Sequence, residues 1–84
     1  MTIDEAVAAI VTDTEFWLEN LRLMRKSWEE NHGVGGCCSD IFQKKVMQLT
    51  QFEIGIERSD MVRAIHDATA PIYTELMHIV TSGG

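Results

Sequence analysis

The sequence predicts an all-α protein: a long antiparallel helical hairpin, about residues 3–32 and 40–69, with a short C-terminal helix after Pro71, packed as a helical bundle. Two observations support this fold: there is a single proline, and apolar residues in the first third follow an unbroken 4,3 spacing. Positions seven apart share a helix face, so these residues form one seam. The seam comprises Ile3, Val7, Ile10, Thr14, Trp17, Leu21, Met24 and Trp28, and only Thr14 is polar.

The first helix has recognisable start and stop signals. Thr2 and Glu5 stand at capping-box spacing, so a hydroxyl and a carboxylate can satisfy the free amides at the helix start. His32-Gly33 offers a stop, because Gly accepts the left-handed conformation that other residues resist. Thr12–Glu15 could be a second capping box. The sequence therefore leaves open a helix break near Thr12.

The first helix is apolar over too wide an arc for one neighbour. Further apolar residues flank the seam, namely Val11 and Leu18 on one side and Ala9, Phe16 and Leu23 on the other. Its charge is also polarised, with acids up to Glu19 and bases at Arg22, Arg25 and Lys26. An antiparallel pairing with a second copy would match acidic half to basic half. We therefore expect a homodimer or small oligomer, with self-association through Trp17, Leu21, Met24 and Trp28.

The second helix should begin near Asp40, after the linker 33–36, with Ser39 or Asp40 as its N-cap. Its predicted core-facing residues are Phe42, Val46, Leu49, Phe52 and Ile56. The polar run 57–60 interrupts that pattern, and a new apolar phase begins at Met61. Residues 57–60 can be a turn before a third helix or part of one continuous helix. We favour continuation to residue 69, because that length matches the first helix.

The C-terminal helix is predicted to begin at Pro71. Proline lacks the amide hydrogen that a helix interior needs, and it disfavours helical geometry in the preceding Ala70. The helix should therefore kink or stop there, and a last one should run over about residues 71–80. Its apolar face comprises Ile72, Leu76, Ile79 and Val80.

Composition indicates one folded, acidic domain over residues 1–84. The chain is 45% apolar, its net charge is −6, and its longest apolar run, 6–11, is far short of a membrane span. Acids at positions 4 and 5 are unlike the basic start of a signal peptide, so we expect a cytoplasmic protein. Residues 1–21 hold five acids and no Lys or Arg. This disfavours direct nucleic-acid binding and favours a protein partner with a basic surface.

Two Glu-x-x-His motifs invite a metal-site interpretation. Glu29 and His32, like Glu75 and His78, are three residues apart and thus share a helix face, as in di-iron carboxylate bundles. Those bundles also need bridging glutamates from two other helices, and here Trp28 rather than Glu29 lies on the seam. One motif precedes the linker and the other is near the C-terminus, so we expect them to lie apart. Solvated side chains near helix ends are the simpler interpretation.

A second acidic pattern is the spacing i, i+4, i+7 of Glu53, Glu57 and Asp60, which on a helix would form one stripe. Together with Glu29 and Glu30, the segment 57–60 resembles the split acidic motif of all-α nucleotide pyrophosphatases. In that family the carboxylates hold Mg²⁺ against a triphosphate. The resemblance covers about six residues, and Gly33 stands where a third Glu is expected. We instead predict Glu53, Glu57 and Asp60 as contacts for a basic partner.

The adjacent Cys37 and Cys38 cannot readily form an intrachain disulfide. The pair could form a soft-metal or redox site or an intermolecular disulfide, and four-ligand zinc would need two chains. Cys38 is instead predicted as the first buried residue of the second helix. No spacing indicates a catalytic triad, so no catalytic residue, metal or cofactor is predicted. The predicted function is a small non-enzymatic protein-binding regulator, adaptor or inhibitor, of the kind that phages and mobile elements also encode. The alternative is a metal-binding or metal-dependent all-α enzyme using carboxylate and His side chains.

Overall fold

The computed structural model describes residues 1–33 and 38–83 and arranges them in four helices without a strand. The helices are α1 (Ile3–Val11), α2 (Thr14–Asn31), α3 (Ser39–Thr50) and α4 (Ile56–Thr81). They contain 82% of the described residues, so the all-α prediction is confirmed. The bundle is elongated, with extents of 40 × 18 × 18 Å.

The predicted first helix is two helices, and the break left open near Thr12 is present. Thr2 caps α1 by accepting a 3.1 Å hydrogen bond from the Glu5 amide. Asp13, rather than Thr12, caps α2 by accepting from the Phe16 amide at 3.1 Å. The continuous helix over 3–32 is therefore wrong at this point. The strong local cap at Asp13 interrupts a seam whose apolar spacing continues on both sides.

Lys45 of α3 reinforces the cap at Asp13. Its ammonium donates to the Asp13 carboxylate, and this hydrogen bond, with the one from the Phe16 amide, lowers the pKa of Asp13 below its ordinary value of 3.8. The ion pair links the α1–α2 junction to α3, and both side chains are mostly shielded from solvent. The lowered pKa means that folding favours the ionised carboxylate.

We expect Asp13→Asn to lower the free energy of unfolding at pH 7 by about 1 kcal/mol or less, because Asn can still cap but loses the ion pair. A depressed folded-state pKa gives stability above the unfolded pKa of about 3.8, and this stability is lost as the pH falls through the folded pKa. Thermal unfolding at pH 7 and at about pH 2.5 should show a smaller difference at the lower pH. An equal difference at both pH values would contradict the ion-pair explanation.

The predicted second helix also divides, because α3 ends at Thr50 and α4 begins at Ile56. The continuation over 40–69 is therefore wrong. Gly55 has φ 68° and ψ −133°, which no helical residue adopts. Phe52 and Ile56, predicted to face the core, are 87% and 78% exposed. The helical spacing of the apolar residues was misleading here, since residues 51–55 leave the helix.

The predicted break at Pro71 is also wrong, since α4 continues through it to Thr81. Pro71 lies on an exposed face, where water can hydrate the Asp67 carbonyl that loses its amide partner. Nearby threonines bond to helix carbonyls: Thr69 donates to Ile65 at 2.8 Å and Thr74 to Ala70 at 3.1 Å. The separate helix over 71–80 is therefore the last part of α4.

Gly55→Ala is expected to lower the free energy of unfolding by about 1–3 kcal/mol, because its backbone conformation is open almost only to glycine. A Cβ at Gly55 would meet no atom within 4 Å, so the cost is conformational rather than a clash. Gly33→Ala is the matched control: Gly33 also has open space, and its φ is not positive. Urea unfolding should show a midpoint change only for Gly55→Ala.

The bundle has three packed helices at one end and two at the other. α1 and α2 lie end to end along α4: the amino group of Met1 is 3.7 Å from Glu53 at one end, and Trp28 packs in a cluster with Val80 at the other. α3 runs back from the middle, where Cys38 meets Asn20, towards the α1 end. The α1 half is therefore three helices thick, while α2 and α4 pair beyond the start of α3.

Two apolar clusters hold this arrangement. The first joins α1, α3 and α4 through the buried residues Ala6, Ile10, Val46, Met61 and Ile65. The second joins α2 and α4 to the start of α3 through Met24, Cys38 and Val80. Trp17 lies between them and packs on the first cluster. Each cluster is small, as expected for a chain near the lower size limit of a stable single domain.

Candidate partner-binding surface

Three large apolar side chains project into solvent where α3 connects to α4. Phe52 is 87% exposed, Ile54 is 79% exposed and Ile56 is 78% exposed. We name these three residues the apolar tip. A single exposed apolar side chain is ordinary, but three within five residues concentrate exposed apolar surface in one short segment, as binding sites do.

The apolar tip is held by its surroundings. The Glu53 amide donates to the Thr50 carbonyl at 3.0 Å, and the Glu53 carboxylate is 3.7 Å from the amino group of Met1. On the other side, the Ser59 amide donates to the Gly55 carbonyl at 3.3 Å as α4 begins. The exposed residues Phe52, Ile54 and Ile56 thus alternate with Glu53 and Gly55, which form hydrogen bonds to the ends of α3 and α4. An anchored segment loses less conformational entropy when a partner binds.

The predicted acidic stripe does not form as one helix face. Glu53 lies in the connection, half-buried, while Glu57 and Asp60 lie in the first turns of α4 and are exposed. The stripe was wrong because Gly55 separates Glu53 from the helix. Glu57 and Asp60 still border the apolar tip through Ile56, and their contact with a partner stays a prediction.

The four residues predicted to mediate self-association are engaged within the chain. Met24 is 3% exposed in the second cluster, and Leu21 and Trp28 pack against that cluster. Trp17 donates from Nε1 to the Ile10 carbonyl at 2.7 Å and contacts the ring of Tyr73. The seam thus faces the chain's own helices, because α4 and α3 cover it. A second copy would have to bind mainly at another surface.

The two Glu-x-x-His motifs lie at the same end of the bundle, contrary to the expectation that they lie apart. α2 and α4 run parallel, so both C-termini meet there, and Glu29 and Val80 line one hollow. Within residues 1–33 and 38–83, however, no three His, Cys, Asp or Glu side chains are placed to hold a metal ion. Glu29 and His78 lie at this end because α2 and α4 run parallel, and this arrangement does not depend on a metal ion.

The carboxylates that resemble the pyrophosphatase motif lie at opposite ends. Glu29 is near the end of α2, beside the C-terminus of α4, whereas Glu57 and Asp60 are in the first turns of α4. A helix of 26 residues is roughly 39 Å long, so these groups cannot share one Mg²⁺ in a single chain. The residues that match the motif in sequence are therefore far apart in the structure.

Cys38 is buried at the N-terminal end of α3, as predicted. Its Sγ lies 3.5 Å from the Asn20 carbonyl, to which the thiol donates. Cys37 and most of the predicted linker, residues 34–36, lie outside the described residues. Cys38 therefore acts as a core residue that connects the start of α3 to α2.

A groove between α3 and α4 was missed by the sequence analysis. It encloses about 260 Å³ and is lined by Phe42, Gln43, Val46, Met47, Thr50, Arg58, Val62 and His66. A neighbouring hollow of about 410 Å³ is lined by Gly55, Arg58, Ser59, Val62 and Arg63. We refer to both together as the α3–α4 groove. The recurrence of residues 58, 62 and 66 on one helix face was the available signal.

Comparisons of the chain with protein-family models, with curated proteins and with solved structures find no match. Among the described helices, none has the length and apolar character required to cross a membrane.

Proposed function

We propose that this chain is a small, acidic, non-enzymatic protein-binding module that regulates, adapts or inhibits a macromolecular partner. The observation that supports this most directly is the apolar tip, Phe52, Ile54 and Ile56. Fully burying such a side chain contributes about 1.5–3 kcal/mol. Three on one anchored segment are enough to act as the central anchor of an interface, where a few residues carry most of the binding energy.

The charge beside the apolar tip supports a partner with a basic surface. Glu57 and Asp60 are exposed on the first turns of α4, next to Ile56. The whole chain carries a net charge of −6, which opposes binding to phosphate backbones and to anionic surfaces. We expect the partner to offer an apolar pocket for Phe52 with Lys or Arg at its rim. A cytoplasmic location is part of the same proposal.

The first test is site-specific photo-crosslinking in extract of the native cell. A photo-reactive phenylalanine replaces Phe52 in one sample and Leu18 in a control sample. Leu18 is the matched control because it is apolar and 60% exposed, yet lies on α2. We expect a discrete partner protein to be crosslinked from position 52, and no protein other than a second copy of this chain from position 18. Equal crosslinking at both positions would indicate nonspecific adhesion and would contradict the proposal.

The second test measures affinity for the partner found in this way. Phe52→Ala should weaken binding about 30-fold or more, the effect of losing a central anchor worth about 2 kcal/mol. Leu18→Ala should change affinity less than about threefold, and circular dichroism should show both variants folded. A partner that binds Phe52→Ala as tightly as the native chain would contradict the proposed role of the apolar tip. Stoichiometric metal in the purified protein would instead favour the enzyme alternative.

A further inference from the structure

The α3–α4 groove combines an apolar floor with a cationic wall. Val46, Met47 and Val62 contribute apolar surface, and Arg58 and Val62 line both of its parts. Arg63 lines the part nearest the apolar tip. Neither arginine forms an ion pair with any described residue. An apolar groove with two such guanidinium groups suits an acidic amphipathic helix.

The chain itself carries an acidic amphipathic surface on its outward side. It comprises Asp4, Ala8 and Val11 on α1 and Glu15 and Leu18 on α2, and every one of these residues is exposed. We name this set the N-terminal acidic face. Asp4, Ala8 and Val11 share one side of α1 because they are spaced i, i+4, i+7. The segment 1–21 contains no Lys or Arg that would oppose its contact with a basic groove.

We propose that the α3–α4 groove of one copy receives the N-terminal acidic face of a second copy. Asp4 or Glu15 would pair with Arg58 and Arg63, while the apolar side chains of the same face would cover the floor of the groove. The two surfaces use different residues. One copy can therefore offer both, either reciprocally in a two-fold dimer or head to tail in a larger assembly.

A second copy is favoured as the occupant by complementarity in both charge and apolar character. The other cationic surface, on α2, is less suited because Arg22 is already paired with Glu19 at Oε1 and Oε2. The described part of the chain has eight buried apolar residues, a small core for its length. Association would bury Val11, Leu18 and Met47, which are 39%, 60% and 60% exposed in the single chain.

The experiment is a charge exchange monitored by light scattering at about 10–100 µM. The native chain, of 9.5 kDa, should associate into a dimer or a larger species. Arg58→Glu/Arg63→Glu sets acid against acid, and Asp4→Lys/Glu15→Lys sets base against base, so each variant alone should associate at least tenfold more weakly. Mixed together, the two variants recreate one native interface and one inverted but complementary interface. The mixture should therefore associate again.

The controls separate this interface from other causes. Glu30→Lys/Glu75→Lys changes the charge as much as Asp4→Lys/Glu15→Lys does, at exposed residues outside both surfaces, and should leave association unchanged. Circular dichroism should show every variant folded; if a reversal variant is not, Arg58→Gln/Arg63→Gln replaces it and should still weaken association. Phe52→Ser should leave association unchanged, which separates this interface from the apolar tip.

Three results would overturn the inference. The first is a native chain that stays at 9.5 kDa up to about 100 µM. The second is unchanged association of the reversal variants, and the third is a mixture that fails to associate although each variant is folded. Association abolished by Phe52→Ser alone would also overturn it, because the apolar tip would then be the contact between copies.

Discussion

Trp17→Ala is expected to lower the free energy of unfolding by about 3 kcal/mol, the lower end of the range for large aromatic residues, because the indole packs on the core but is only partly buried. The indole packs on the first apolar cluster and contacts the rings of Phe16 and Tyr73, at centroid distances of 4.9 and 5.1 Å. Its Nε1 donates to the Ile10 carbonyl near the C-terminus of α1. Trp17 therefore joins α2, α4 and the end of α1, and its loss leaves a cavity and removes one of the two hydrogen bonds that the Ile10 carbonyl accepts.

Trp17→Phe separates the contribution of packing from that of the hydrogen bond, because phenylalanine keeps an aromatic ring but cannot donate to the Ile10 carbonyl. We expect it to recover most of the packing and to lose about 1 kcal/mol for the hydrogen bond, with a further loss for the smaller ring. Glu15→Ala is the control, since Glu15 is exposed on the outward side of α2. Urea unfolding followed by circular dichroism gives all three values. Equal midpoints for Trp17→Ala and Glu15→Ala would show that the helix faces are wrongly assigned.

Asn20→Ala is expected to lower the free energy of unfolding by about 2–3 kcal/mol, because it removes a fully buried polar group with two hydrogen bonds. Asn20 is 0% exposed. Its Oδ1 accepts from the Tyr73 hydroxyl at 2.7 Å, and its Nδ2 donates to the Phe16 carbonyl at 2.8 Å. The change therefore breaks a polar link between α2 and α4 and leaves the Tyr73 hydroxyl without this acceptor.

A double-mutant cycle with Tyr73→Phe measures how much the hydrogen bond between Tyr73 and Asn20 contributes to the free energy of unfolding. That single change should cost about 1 kcal/mol, and the double variant should be more stable than the sum of the two losses implies, because the hydroxyl that had lost its Asn20 acceptor is gone. Asn31→Ala, at the exposed end of α2, should change stability by less than about 0.5 kcal/mol. Strict additivity of Asn20→Ala and Tyr73→Phe would contradict the inter-helix hydrogen bond.

The candidate surface was only partly accessible from the sequence. Glu57 and Asp60 were identified as exposed acids, and they are exposed beside the apolar tip. Phe52 and Ile56 were assigned to the core because their spacing from Phe42 and Leu49 fits a helix face. Apolar spacing identifies a helix face only where the chain is helical. Because residues 51–55 leave the helix, Phe52 and Ile56 are exposed rather than buried.

The sequence by itself determined the helical class, the cap of α1 at Thr2 and the burial of Ile10 and Val46, because capping and helical periodicity are local properties. Only the tertiary structure decided where helices end in ambiguous stretches and how they pair. Pro71 remains inside α4 because the missing hydrogen bond falls on an exposed face. The α3–α4 groove and the outward acidic face depend on which helices pack together. Such contacts between residues distant in sequence leave no periodic signal in the chain.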